Sequence, residues 1–348
     1  SRDLTAGQAA LIRALVLLAA LTGPACGETL RIAAWNIGLS RDGPGLLLND
    51  FGKNTDEITA IVNAIASSAA DVVLLSGFDN DFENLAATAL RDQLALAGQD
   101  YSYLLALNGN EGVPSGLDLD GDGRLNGWND NWGFGKFQGH DSMVLLSRLP
   151  VEATRSWTKF LWSDLPDARL PSTSSGPFPN ADIAAQLRLS SHSHWDVGLQ
   201  LEESVLHLLI SNPTPPVFDG PEDTNGLRNN DEIAFWLHYL GGAALLDDAG
   251  DAAPFSGQAF VVLGDLNADP ARGDGIGTAL RALLADPRLI DPAQLQSPTA
   301  YWESLPPMRV DYILPSADLD ILDGGTAAAV DEAATAHRLI WLDLTTGD

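Results

Sequence analysis

At four places where a buried strand would end, polar side chains interrupt apolar sequence, and each is a type that holds a metal or a phosphate. They are Trp35-Asn36 after RIAA, Gly264-Asp265-Leu266-Asn267 after FVVL, Asp311 in RVDYIL, and His337 opening HRLIWLDL. An Asp after a buried strand, with a small Gly before it and an Asn two residues on, sets a carboxylate and an amide on one side of the chain. Such a pair can orient a water and the phosphoryl oxygens it attacks. An imidazole beside a carboxylate has its tautomer fixed and its protonated form favoured.

A second acidic segment has a different spacing. Asp118-Leu-Asp120-Gly-Asp122-Gly-Arg124 offers oxygen ligands at positions one, three and five, a Gly at six and a backbone carbonyl, that of Arg124, at seven. The twelfth residue is Asn129 and Asp130 follows, so the bidentate Glu of a sensor loop is missing and a modest Ca²⁺ affinity is expected.

These side chains must be positioned by strands and helices. Leu30 to Ile37 alternates like a half-buried strand and Asp71 to Leu75 reads as a buried one. Further strands are expected at Tyr101–Ala106, Met143–Leu146, Val205–Ile210, Ala259–Leu263, Val310–Leu314 and Leu339–Leu344. Asn54 and Glu57 have capping-box spacing ahead of the helical repeat Ile58, Ile61, Val62, Ile65. Other helices are expected at Phe82–Ala97, Asp231–Leu245 and Gly277–Leu284. This order implies an α/β sandwich, two packed mixed sheets with helices outside.

The four strand-end motifs, in this order, resemble the deoxyribonuclease-I-like fold of the endonuclease/exonuclease/phosphatase family. SHWD (Ser193 to Asp196) and the segment Asn212 to Glu232 resemble its secreted bacterial branch. The resemblance runs from about Leu30 to Leu344 and implies a four-layer sandwich and phosphoester hydrolysis aided by Mg²⁺ or Mn²⁺. It implies that Asp265 is the base or water-orienting group with Asn267 as partner. His337 would donate to a phosphoryl oxygen and be set by Asp311, and Asn36 would touch metal or phosphate. Asn212, Asp196 and Arg228 would also line the cleft, Arg228 as the cation for phosphate, since only three lysines are present.

Three departures fall on the same chemistry. The family's metal-binding Glu follows the second strand, where this chain reads Leu75-Ser76-Gly77-Phe78-Asp79. The His expected at position 212 is Asn, and the Asp expected before the last His is Ala336. Losing two carboxylates weakens a hard-cation site. Two readings stay open: a weak or inactive hydrolase keeping a phosphoester cleft, and an active metal-dependent phosphodiesterase or phosphatase with a relocated ligand. Asp79 is the first candidate for that ligand, with Asp81, Asp141 and Asp196 behind it.

With 47 acidic against 19 basic residues and a formal charge of −28, the surface repels a nucleic-acid backbone. The expected partner is a small phosphoester or a protein, not bulk DNA. Arg13 before the apolar run Ala14 to Leu21 and the small residues after it match an export signal, so residues 1–27 are expected to be an export segment ahead of a domain over 28–348. That implies an extracytoplasmic protein. Membrane contact would come only through that segment, if uncleaved or if lipidated at Cys26, the less favoured of the two readings.

Overall fold

The computed structural model describes residues 29–345 except 332 and 334, so the expected export segment lies outside the described residues. No helix among them is long and apolar enough to cross a membrane.

The first sheet is built from β1 (Thr29–Leu39), β2 (Val72–Phe78), β3 (Tyr103–Leu105), β4 (Ser142–Ser147), β12 (Asp320–Thr326) and β13 (Ile340–Thr345), in the order β12-β13-β1-β2-β4-β3. The second contains β5 (Val151–Ser156), β8 (His194–Gln200), β9 (Val205–Ser211), β10 (Phe260–Asp265) and β11 (Asp311–Pro315), in the order β11-β10-β9-β8-β5. A small ribbon, β6 (Ser172–Thr173) with β7 (Gly176–Pro177), stands apart. Within each sheet one pair is parallel, β1 with β2 and β9 with β10.

Alternation along the strands makes three apolar layers. Leu30, Ile32, Ala34, Val72 and Leu74 meet Val197, Leu208, Ile210, Val261, Leu263 and Ile313 between the sheets. The other face of the first sheet packs on α1 (Leu46–Lys53), α2 (Asp56–Ser68) and α3 (Leu85–Leu96). The other face of the second packs on α5 (Thr224–Leu240) and α6 (Thr278–Leu284), while α4 (Ala181–Ala184) is a single turn. Helix, sheet, sheet and helix give the four layers expected.

Local departures from the sequence reading have physical causes. The cap of α2 is Thr55, whose Oγ1 accepts from the Ile58 amide at 3.3 Å. Asn54 instead closes α1 in a left-handed conformation, φ 50°, and Glu57 pairs with Arg41 at 2.6 Å. Helix α5 begins at Thr224, seven residues before Asp231, and its first turns were hidden in the sequence because the buried Asn229, Asn230, Asp231 and Glu232 interrupt the apolar period.

Candidate functional site

The period of two that builds the inter-sheet core also aims the site. Asn36 continues the row Leu30, Ile32, Ala34; Asp265 continues Val261, Leu263; and Asp311 precedes Ile313. All three project into the gap between the sheets where the apolar rows stop. There Asn36 donates through Nδ2 to Asp265 Oδ2 at 2.9 Å, bridging the two sheets.

Around this bond the predicted residues form one network. The Asn267 amide donates to Asp265 Oδ1 at 3.0 Å, which turns the backbone into φ 51°, and Asn267 Nδ2 donates to the Pro213 carbonyl at 3.0 Å and lies 3.4 Å from Asn212 Oδ1. His337 Nδ1 lies 3.0 Å from Asp311 Oδ2 and 3.8 Å from Asp265 Oδ2. Asp265, Asp311 and His337 therefore offer ligand atoms within 4.8 Å of one another. Gly264 permits this packing: at φ 151° it lies against the Ser211 carbonyl, which would stand 1.9 Å from any Cβ.

Sequence reasoning assigned no supporting role to the residues that hold the pair. Thr299 Oγ1 accepts from the amides of Val310 and Asp311, each at 3.0 Å. Thr335 Oγ1 donates to the Asn36 carbonyl at 2.7 Å and accepts from the His337 amide, and Trp35 Nε1 donates to the His337 carbonyl. On the second sheet, buried Glu232 accepts from the amides of Ser191 and Thr214 and so fixes the loops at the ends of β8 and β9. No sequence period marks these residues.

Electrostatics follow from burial. Desolvation alone would lower the His337 pKa, but the carboxylates of Asp311 and Asp265 outweigh it and raise it to about 9. The ring is an imidazolium at neutral pH, with Nδ1 committed to Asp311. Burial raises Asp265 above the usual carboxylate range, with Asp311 adding to the shift and His337 opposing it. Burial, then the charges of Asp79 and Asp265, also lift Asp141 to about 7.

Other predicted residues fall elsewhere. Asp196 sits on the helix side of β8, taken up by His207 Nδ1 and Tyr239 Oη at 2.6 Å each, so it is not part of the cleft network. Arg228, 8% exposed on α5, lies 5.4 Å over Trp162 and makes no hydrogen bond with the Asp265 group. Asp79 accepts the amides of Arg41 at 2.7 Å and Asp141 at 3.0 Å, one on each carboxylate oxygen. His192 and His194 are buried and hydrogen-bonded, His192 linking the Asn212 and Asp141 carbonyls.

In the acidic loop, Asp118, Asp120 and Asp130 come within 4.8 Å of one another, and Asp118 Oδ1 is buried without a partner. Asp130 supplies the thirteenth position and is fixed by the amides of Leu119 and Gly127. Asp122 is not in this group and instead accepts the Arg124 amide at 2.7 Å.

This fold and strand-end site define a class. The endonuclease/exonuclease/phosphatase family model matches residues 33–331, and the chain belongs to that family. Among solved structures it resembles an endonuclease/exonuclease/phosphatase from Beutenbergia cavernae DSM 12333, at 18% identity and a TM-score of 0.54, over 92% of this chain and 72% of that one. It also resembles a family protein from Leptotrichia buccalis C-1013-b, at 16% identity and TM-score 0.51 over 90% and 98% of the two chains. A third, from Bacteroides vulgatus, has 11% identity and TM-score 0.51 over 91% and 98%. No curated protein matches the chain.

At the end of β2, where the resemblance implies a carboxylate, this chain has Gly77. Gly77 is a bulge at φ 70° between the β2–β4 pairs of Ser76 and Phe78, and it offers no carboxylate. Asn36 Oδ1 fills the space instead, 2.3 Å from where a Gly77 Cβ would stand, and accepts the Gly38 amide.

Proposed function

We propose that the chain is an exported phosphoester-binding protein whose hydrolytic power is attenuated by an incomplete metal site. The observation that carries this is the His337–Asp311 pair beside Asp265, joined to a β2 end that has only glycine. The His337 imidazolium presents Nε2–H to a phosphoryl oxygen, and Asp265, held by Asn36 and the Asn267 amide, orients the water. Without the β2 carboxylate, charge developing on the phosphoryl group lacks its main counterion. Loss of one member of such a unit lowers rate by a factor on the order of 10⁴.

Asp79 is a poor replacement because both its oxygens already hold amides. The net charge favours a small phosphoester over nucleic acid. The Asp118–Asp120–Asp130 loop is read as a structural Ca²⁺ site forming one wall. The Arg13 and Ala14–Leu21 pattern supports a periplasmic or secreted location.

The test is turnover of bis(4-nitrophenyl) phosphate with Mg²⁺, Mn²⁺ and Ca²⁺ in turn. Slow release that falls to background in Asp265→Ala supports the reading. Turnover at ordinary enzyme rates, or none at all with no binding of the diester, contradicts it.

A further inference from the structure

The segment ahead of β11 is a short turn tied to both halves of the His337–Asp311 pair. The Thr299 and Ala300 amides donate to the Met308 carbonyl at 2.8 and 2.9 Å, and the Met308 amide donates back to the Ala300 carbonyl at 3.1 Å. Thr299 Oγ1 holds the Asp311 amide from this turn. On its other side the Arg338 amide donates to the Thr299 carbonyl at 2.8 Å and the Tyr301 amide to the Ala336 carbonyl at 3.0 Å. The turn is thereby seated antiparallel to the chain that enters β13, with Ala300 opposite His337.

This register decides which side chains share the site. Successive residues of a paired extended segment face opposite sides, so Ala300 and Trp302 stand on the His337 side and Tyr301 on the other. Two contacts agree with it. The Trp302 ring lies 5.4 Å from the His337 imidazole with the two planes at 89°, while the Arg338 guanidinium crosses Tyr301 at 4.9 Å.

Trp302 is half-buried, yet among the described residues it belongs to none of the three apolar layers. A tryptophan that fills no core and stays partly open beside the site's imidazole is better placed to meet a ligand than to support the fold. His337 is 7% exposed and commits Nδ1 to Asp311, so a group carried by a phosphate on Nε2 comes to lie beside Trp302.

We propose that Trp302 lines the subsite for the ester group of a phosphodiester and gives the cleft a preference for a planar aromatic substituent over a small alkyl one. This rests on the phosphoester reading and deepens it. The phosphate is read by hydrogen bonds at His337 and Asp265, whereas the substituent is read by ring contact, which needs no cation from a strongly acidic chain. The backbone bonds that fix the turn hold the indole in place beforehand, and ordering its two side-chain torsions costs little.

The test compares diphenyl phosphate with dimethyl phosphate, each titrated into the full chain at one fixed Mg²⁺ concentration by calorimetry, with imidazole NMR of His337 as a second readout. The diphenyl ester is expected to bind about tenfold more tightly, the scale of one good aromatic contact. Trp302→Leu is expected to cut that ratio at least about threefold, with dimethyl phosphate binding and the His337 signals of the free protein unchanged. Trp302→Phe keeps most of the preference, and Trp302→Met serves as the apolar variant if Trp302→Leu does not fold. Equal affinities in the native chain, or a ratio unchanged in the apolar variant, overturn the subsite. An equal loss for both esters with displaced His337 signals also overturns it, because Trp302 would then only prop the imidazole. Binding of both esters without preference leaves the phosphoester reading standing, whereas binding of neither strikes that reading as well.

Discussion

Asn36 Oδ1 occupies the space beside Gly77, 2.3 Å from where a β-carbon on that glycine would stand. The place where the resemblance implies a carboxylate is thus filled by the neighbouring amide. Gly77→Glu is expected to fail as a repair. It imposes a positive φ costing about 1–2 kcal/mol and displaces Asn36 from Gly38 and Asp265. A lower melting temperature with no gain in diester turnover is the expected result, and restored turnover would show that the space reopens easily.

The Asp311 carboxylate sets the charge on His337. Asp311→Asn removes that charge and is expected to lower the His337 pKa from about 9 toward its ordinary value or below, since burial then prevails. Imidazole NMR titration of the two proteins measures this directly. An unchanged pKa would place the cause elsewhere.

Thr299 supports the same pair through the backbone. Thr299→Val leaves the Val310 and Asp311 amides without their acceptor, a loss of about 1–3 kcal/mol for each buried donor left unpaired. Denaturant unfolding should show a drop of that order, together with a lower His337 pKa as Asp311 loosens.

Stability should fall as pH rises from about 6.5 to about 9 when divalent metal is chelated. His337 has its folded pKa raised to about 9, so its contribution is full below its unfolded value and is lost as pH climbs through 9. Glu232, raised to about 7 chiefly by burial, adds to the fall near neutrality because the folded chain must then carry a buried charge. His192 and His194, lowered to about 4, act below this window with the opposite sign. Melting temperatures across the range check the slope, and a rise with pH would contradict it.

The strands that carry Asn36, Asp265 and Asp311, and the one that follows His337, were legible because each pairs a strong apolar run with an abrupt polar boundary. The edge strands were not. β5 reads VEATRS and lies largely in solvent, and β12 carries two glycines and a bulge, so neither shows a buried face. Helix α5 was foreshortened because its buried side chains include Asn229 and Glu232, whose partners are the carbonyls and amides of distant loops.

The central claim is that His337 and Asp265 face one phosphate between the two sheets. Imidazole ¹H–¹⁵N NMR of His337 during titration with a phosphodiester in the presence of Mg²⁺ tests it most directly. A saturable shift at Nε2, with Nδ1 little changed and the response lost in Asp265→Ala, is the predicted result. A diester that binds without moving the His337 signals would place the ligand elsewhere and contradict the account.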